Sequence, residues 1–344
     1  MSSALTFPFD APPPPGATRE VAPGVHWLRM PLPFALDHIN LWLVEGAPGW
    51  TLIDTGLGDP ATRALWERHF ERALAGRPLE RIVVTHYHPD HAGNAAWLAS
   101  RCGVDVHMTM AEFLTGHAIH AQSSGYALAD TVALFRSHGV DDEHLAALGA
   151  RGNAYRRGVP ELPRRFARIY AGERLRVGAL EARVIAGYGH SPEHAALHAA
   201  AHDVLVSGDM LLPRISTNVS VWPAEALADP LARFLGSLDA FAALPERTLV
   251  LPSHGLPFRG IAARVAALHE HHAARLAELE EAIAGAGAPV SAADVVPLLF
   301  RRELDMQQRF FAIGEAIAHL NHLAAAGRVM RAMAPDGTVR FATN

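Results

Sequence analysis

Three imidazoles and a carboxylate fall within positions 86–91 of the run Thr85-His86-Tyr87-His88-Pro89-Asp90-His91, directly after the apolar residues Ile82-Val83-Val84. Neutral imidazole and carboxylate are donors for Zn²⁺, iron or manganese, and the lack of thiolate removes the pull toward a closed, structural zinc site. A strand through 82–86 would turn His86 and His88 to the same face, where both reach one ion. Pro89 then forces the chain to turn and re-aims Asp90 and His91 toward a second ion beside the first. With 21 histidines among 344 residues, some clustering arises by accident. The rest of the chain therefore has to support the reading.

Three further segments repeat one design: an apolar, strand-like run, then a small residue or turn, then a ligand type. Leu180–Ile185 leads through Gly187-Tyr188-Gly189 to His190, Asp203–Gly208 ends at Asp209, and Thr248–Ser253 ends at His254. Four strand ends that deliver donors to one edge would let a rigid sheet preorganise a metal centre.

Strand-like segments at 25–30, 39–45, 50–54 and 81–86, with a helical stretch near 61–75, predict a mixed α/β layered fold. A helix over 92–101 follows His91. Between about 109 and 170 lies an insertion with helical patterning, notably over 129–138 and 144–148, of the kind that forms lids or pocket walls. After Gly260 the pattern predicts a helix over 261–284, a second capped by Ser291, and a third over 306–326 stopped by Gly327. Segments 328–334 and 338–342, joined through Pro335-Asp336-Gly337, read as a hairpin. The expected organisation is an extended, Pro-rich arm at 1–20, a catalytic domain at 21–260 and a C-terminal helical domain at 261–344.

Taken together, these motifs resemble the metallo-β-lactamase superfamily. The resemblance rests on HxHxDH at 86–91, Gly-His-Ser-Pro-Glu-His at 189–194, Ser-Gly-Asp at 207–209, His-Gly at 254–255 and Asp54-Thr55-Gly56 after Trp50-Thr51-Leu52-Ile53, in the family's order over residues 20–260. It implies an αββα sandwich with the site at one edge. It further implies that His86, His88 and His190 bind a first metal and Asp90, His91 and His254 a second, with Asp209 bridging both, as in glyoxalase-II-like dinuclear sites. The C-terminal helices and hairpin resemble, by architecture alone, the winged-helix appendage of lactamase-β-like endoribonucleases.

Two divalent ions sharing Asp209 would hold a bridging hydroxide at neutral pH and polarise a scissile carbonyl or phosphoryl oxygen, so hydrolysis would need no separate protein base. Asp90 would both ligate and orient that hydroxide. Asp54 is expected to lock the ligand loop through hydrogen bonds, or else to end a strand in a simple turn. His194 either supports His190 or covers the sheet. Phe34, His38, Tyr188, Arg214, Asn218 and Trp222 stand near the motifs and are candidates for the substrate pocket, with ordinary packing as the alternative for each.

Composition narrows the reaction. All 30 basic residues are Arg, which reflects coding bias rather than chemistry, and the formal charge of −5 with no basic tract argues against a nucleic-acid surface. The appendage from 262 to 344 carries eight arginines against nine acids, too neutral a balance for phosphate binding. Packing or homodimerisation is its expected role, and His269, His271 and His272 read as a solvated or interdomain helix face. Lone Cys102 makes no internal disulfide, residues 1–20 lack a secretory apolar core, and no stretch suggests a membrane span, so a cytoplasmic protein is expected. The favoured substrate is a small carboxylic ester, thioester or lactone. The alternatives are a phosphodiesterase or ribonuclease, and a di-iron redox or metal-binding protein.

Overall fold

The computed structural model describes residues 5–344. They form two compact units that interleave along the chain: one takes residues up to His120 with 155–217 and 237–265, the other 121–154, 218–236 and 266–344.

In the first unit, β1 (Arg19–Ala22), β2 (Val25–Pro31), β3 (His38–Glu45), β4 (Trp50–Ile53), β5 (Leu79–Val83), β6 (Val106–Met108) and β7 (Ala167–Arg168) form a seven-stranded sheet in that spatial order. A second sheet has the order β12-β11-β10-β9-β8, with β8 Arg174–Val177, β9 Leu180–Gly187, β10 His194–Ala199, β11 Val204–Gly208 and β12 Leu249–Pro252. Residues two apart on β9, namely Leu180, Ala182 and Val184, are buried while Glu181 and Arg183 are exposed, the alternation of a strand with one face inward. They pack with Trp27, Trp42, Val44, Ile53 and Val83 of the other sheet, so the two sheets lie face to face. On its outer face the first sheet sets Leu28, Leu41, Leu52 and Ile82 against Trp66 of α1 (Pro60–Glu71) and Leu98 of α3 (Ala95–Cys102). Each buried aliphatic side chain contributes about 1.5–3 kcal/mol.

Strand direction explains where the donors emerge. Both β9 and β11 run antiparallel to β10, and β12 runs parallel to β11. The C-terminal ends of β9, β11 and β12 therefore share one edge with the start of β10. His190, Asp209, His254 and His194 are the residues at or just beyond those ends.

Two local predictions need correction. The strand expected to reach residue 86 ends at Val83, because the Asp54 carboxylate captures the Thr85 N–H in place of a neighbouring strand. His86 and His88 therefore converge by loop geometry rather than by pleat alternation. The helix expected over 92–101 is instead two helices, α2 (Pro89–Ala92) and α3, with Pro89 in the first turn of α2, where no backbone N–H is needed. At the break, a Cβ on Gly93 would meet Gly58 N at 2.4 Å and Gly158 O at 2.6 Å. Only glycine allows that approach.

The insertion contributes α4 (Met110–Ala121), α5 (Leu128–Ser137), α6 (Asp142–Ala150) and α7 (Ala154–Gly158). After α8 (Pro230–Ala242) come α9 (Ile261–Gly285), α10 (Ala292–Leu299), α11 (Met306–Ala325) and the hairpin β13 (Val329–Met333) with β14 (Val339–Thr343), in the expected order. Reciprocal capping boxes, Ser291 with Asp294 and Asp305 with Gln308, start α10 and α11. His272 does not lie on a solvated face: it is fully buried, its Nδ1 3.2 Å from His319 Nε2 inside the second unit. Among the described residues no helix is long and apolar enough to cross a membrane.

Candidate metal centre

Seven donor side chains from four segments meet at the edge where these strands end. In the first group, His86 Nε2 lies 2.9 Å from His88 Nδ1 and 3.2 Å from His190 Nε2, and His190 Nε2 lies 3.4 Å from Asp209 Oδ2. Four donors arranged tetrahedrally at zinc bond lengths stand roughly 3.3 Å apart, so these spacings fit one ion. In the second, His91 Nε2 is 3.7 Å from Asp90 Oδ2 and His254 Nε2 is 3.5 Å from that same oxygen. Asp209 Oδ1 stands 3.5 Å from both of those imidazoles. One carboxylate thus offers Oδ2 to the first group and Oδ1 to the second.

Proton positions follow from the hydrogen bonds. The Thr85 hydroxyl donates to Asp54, which leaves its oxygen, 3.0 Å away, to accept from His86 Nδ1. His91 Nδ1 donates to Asp54 Oδ2 at 2.8 Å, and His254 Nδ1 to the His38 carbonyl at 2.7 Å. In all three rings the Nδ1 proton is fixed in this way, so Nε2 is the nitrogen that faces the cluster and would bind a cation. Burial, reinforced by neighbouring imidazoles, holds His86 and His88 well below the usual histidine range, so neither has a proton to shed at neutral pH. Burial opposes charge on His91 and His254 as well, but nearby carboxylates outweigh it and raise both. Burial likewise disfavours the Asp209 anion, yet His254 and His91 beside it hold the carboxyl well below its ordinary value. Among the described residues, buried His91 Nε2 and Asp209 Oδ1 have no hydrogen-bond partner. Buried polar atoms left without a partner are costly, and a cation between them would compensate that cost.

Asp54 therefore fastens the loop of both groups, taking Thr85 N–H at 2.8 Å as well. His194 supports Asp209 rather than His190: its Nε2 accepts the Asp209 N–H at 3.2 Å, and burial lowers its pKa to about 3. Between them Gly208 has φ +54°, and a Cβ there would run into the His194 ring. Gly208→Ala is expected to lower stability by about 1–3 kcal/mol through backbone strain and that collision. Denaturant midpoints check this, and an unchanged midpoint would contradict the packing described.

The pocket candidates are dispersed. His38 Nε2 accepts the Gly255 N–H at 2.9 Å, making it a support of the His254 turn. Tyr188 and Phe34 are exposed, and the Arg214 guanidinium lies 5.8 Å over the Phe7 ring. Asn218 and Trp222 belong to the second unit, where the Asn218 amide donates to Glu315 at 3.1 Å. Sequence reasoning missed Asn40, whose Nδ2 holds the Pro252 and Gly255 carbonyls at 2.8 and 2.9 Å, and Tyr155, whose hydroxyl donates to Tyr87 O at 2.7 Å. It also missed buried Glu112, which accepts from Tyr87 N–H, Ser191 Oγ–H and Glu193 N–H and is pushed up to about 7 by burial. No motif carries these three, since each acts only through tertiary contacts.

Comparison with known proteins identifies the family. The family model of the metallo-beta-lactamase superfamily matches residues 35–254, and that of the metallo-beta-lactamase-like C-terminal domain matches 276–344. The chain belongs to the metallo-β-lactamase superfamily and is one of its hydrolases. A crystal structure of a beta-lactamase domain protein from Burkholderia ambifaria superposes with TM-score 0.92 at 48% identity, over 99% of this chain and 98% of that one. A probable metallo-hydrolase of Bacillus subtilis is 26% identical over 87% of this chain and 91% of its own length. A hydroxyacylglutathione hydrolase of Albidiferax ferrireducens is 27% identical over 65% of each. A human acyl-coenzyme A thioesterase is 24% identical over 69% of this chain and 80% of its own.

Proposed function

We propose that the protein is a dinuclear metallohydrolase of thioesters, in which His86, His88 and His190 hold one divalent ion, Asp90, His91 and His254 a second, and Asp209 both. The observation that carries this reading is the division of Asp209, one oxygen to each donor group. When bound, zinc, or iron or manganese in its place, would supply a water of lowered pKa and polarise the scissile carbonyl. Asp90 faces His91 and His254 through Oδ2, which leaves Oδ1 to hold a proton at the reacting centre. Asp54, Thr85 and His38 keep the imidazoles in the required tautomers.

Two observations favour a thioester with an anionic handle. Both named relatives with a defined substrate act on thioesters, one of glutathione and one of coenzyme A. In addition, Arg156, Arg157, Arg164, Arg165 and Arg168 are exposed on a segment whose only acid is Glu161. That segment is fastened to the ligand loop through the Tyr155 hydrogen bond and by Gly158 packed on Pro89. This basic tract, unnoticed in the net charge, suits the phosphates of a coenzyme A thioester better than a glutathione conjugate. It also favours a phosphodiester as the second reading.

A panel of coenzyme A and glutathione thioesters, lactones, aryl esters and phosphodiesters, run on metal-replete enzyme, tests the assignment. Coenzyme A thioesters should lead in kcat/KM by on the order of 10²-fold. Preferential phosphodiester cleavage would overturn it.

A further inference from the structure

We propose that Glu112 is the positioning residue of the three-histidine group, a clamp that sets the separation of the two loops carrying its ligands. The inference rests on the dinuclear reading above and assigns a role to a side chain outside every motif. Glu112 lies in the first turn of α4 and is fully buried. Its Oε2 accepts the Tyr87 N–H at 3.0 Å, and Tyr87 is the residue between His86 and His88. Its Oε1 accepts the Ser191 hydroxyl at 2.6 Å and the Glu193 N–H at 2.7 Å, both from the loop that follows His190. One carboxylate therefore joins the loop after β5, in the first sheet, to the connection between β9 and β10, in the second.

Surrounding contacts hold the clamp in place. Thr109, one residue before α4, donates to the Glu193 carbonyl at 2.8 Å, and Tyr155 fixes the Tyr87 carbonyl from the other side. Asp54 performs the matching task for the loop's other end through Thr85 and His91. A hydrogen-bonded support of this kind typically changes metal affinity by about 10- to 100-fold when lost. Glutamine at position 112 keeps one oxygen for Ser191 and Glu193 but turns an NH₂ toward the Tyr87 N–H, donor against donor. Glu112→Gln should therefore loosen His86 and His88 relative to His190 and leave the Asp90, His91 and His254 group intact.

The experiment is a stepwise zinc titration of the metal-free full-length protein against a chromophoric chelator, for the parent and Glu112→Gln, with cobalt spectra of the same samples. Glu112→Gln should weaken one of the two ions by about 10- to 100-fold, leave the other little changed, and alter the cobalt d–d bands. Unchanged affinity for both ions in the folded variant overturns the clamp, and so does equal weakening of both. Should Glu112→Gln fail to fold, Ser191→Ala, which removes a single donor, decides the matter: a smaller loss at the same ion supports the clamp and no loss refutes it. A parent chain that binds no divalent ion removes the dinuclear reading and the clamp together, whereas an unaffected variant of a two-ion parent removes the clamp alone.

Discussion

Asp209→Ala should lower kcat/KM by about 10³-fold or more, the scale of losing several kcal/mol of charge stabilisation at the reacting centre. It should also leave the chain with fewer than two bound ions. Among the described residues Asp209 is the only side chain whose two oxygens face both donor groups, so its removal opens both at once. The fold should survive, because the residue sits beyond the end of β11 and its main-chain bonds to His194 and Thr217 do not need the carboxylate. Steady-state kinetics with elemental analysis of the purified variant checks the prediction, and activity within tenfold of the parent would contradict it.

Metal removal should act comparably on turnover and also on stability. Without cations, three imidazole nitrogens face one another at the first group and buried Asp209 Oδ1 has no hydrogen-bond partner among the described residues. Chelation to a verified metal-free state should reduce hydrolysis to background, and a divalent ion should restore it. Each ion that binds only the folded chain adds about 2.7 kcal/mol when supplied at a hundredfold its Kd. The metal-free protein should accordingly melt at a lower temperature than the replete one. Full turnover by metal-free protein would exclude the mechanism.

Much of the site could be read from the chain because its chemistry is local in sequence. The spacing of His86, His88, Asp90 and His91, and the strand-then-ligand pattern before His190, Asp209 and His254, survive translation into structure. Strand direction does the remaining work of bringing them to one edge. Asp54 was legible because it follows a clear strand. The end of β5 was not, since it depends on that same Asp54 capturing a backbone N–H from 31 residues away.

Less visible were the groups that hold the ligands. Glu112 looks like any acid in the first turn of a helix, and Asn40 like any polar residue of a strand. Their roles come from carbonyls and amides far along the chain. His194 had two readings in sequence, and the structure supplied a third, the Asp209 N–H. The interleaved units were equally hidden: residues 121–154 and 218–236 carry ordinary helical and loop patterns that do not record which core they join. The basic tract at 156–168 disappears in a net charge of −5 because acids elsewhere balance it.

Anomalous diffraction from crystals grown metal-replete, with data at the absorption edge of the bound metal, tests the paired centre most directly. The expected result is two peaks per chain with the Asp209 carboxylate between them, one beside His86, His88 and His190 and the other beside Asp90, His91 and His254. A single peak, or none at this edge of the sheets in active protein, would contradict it.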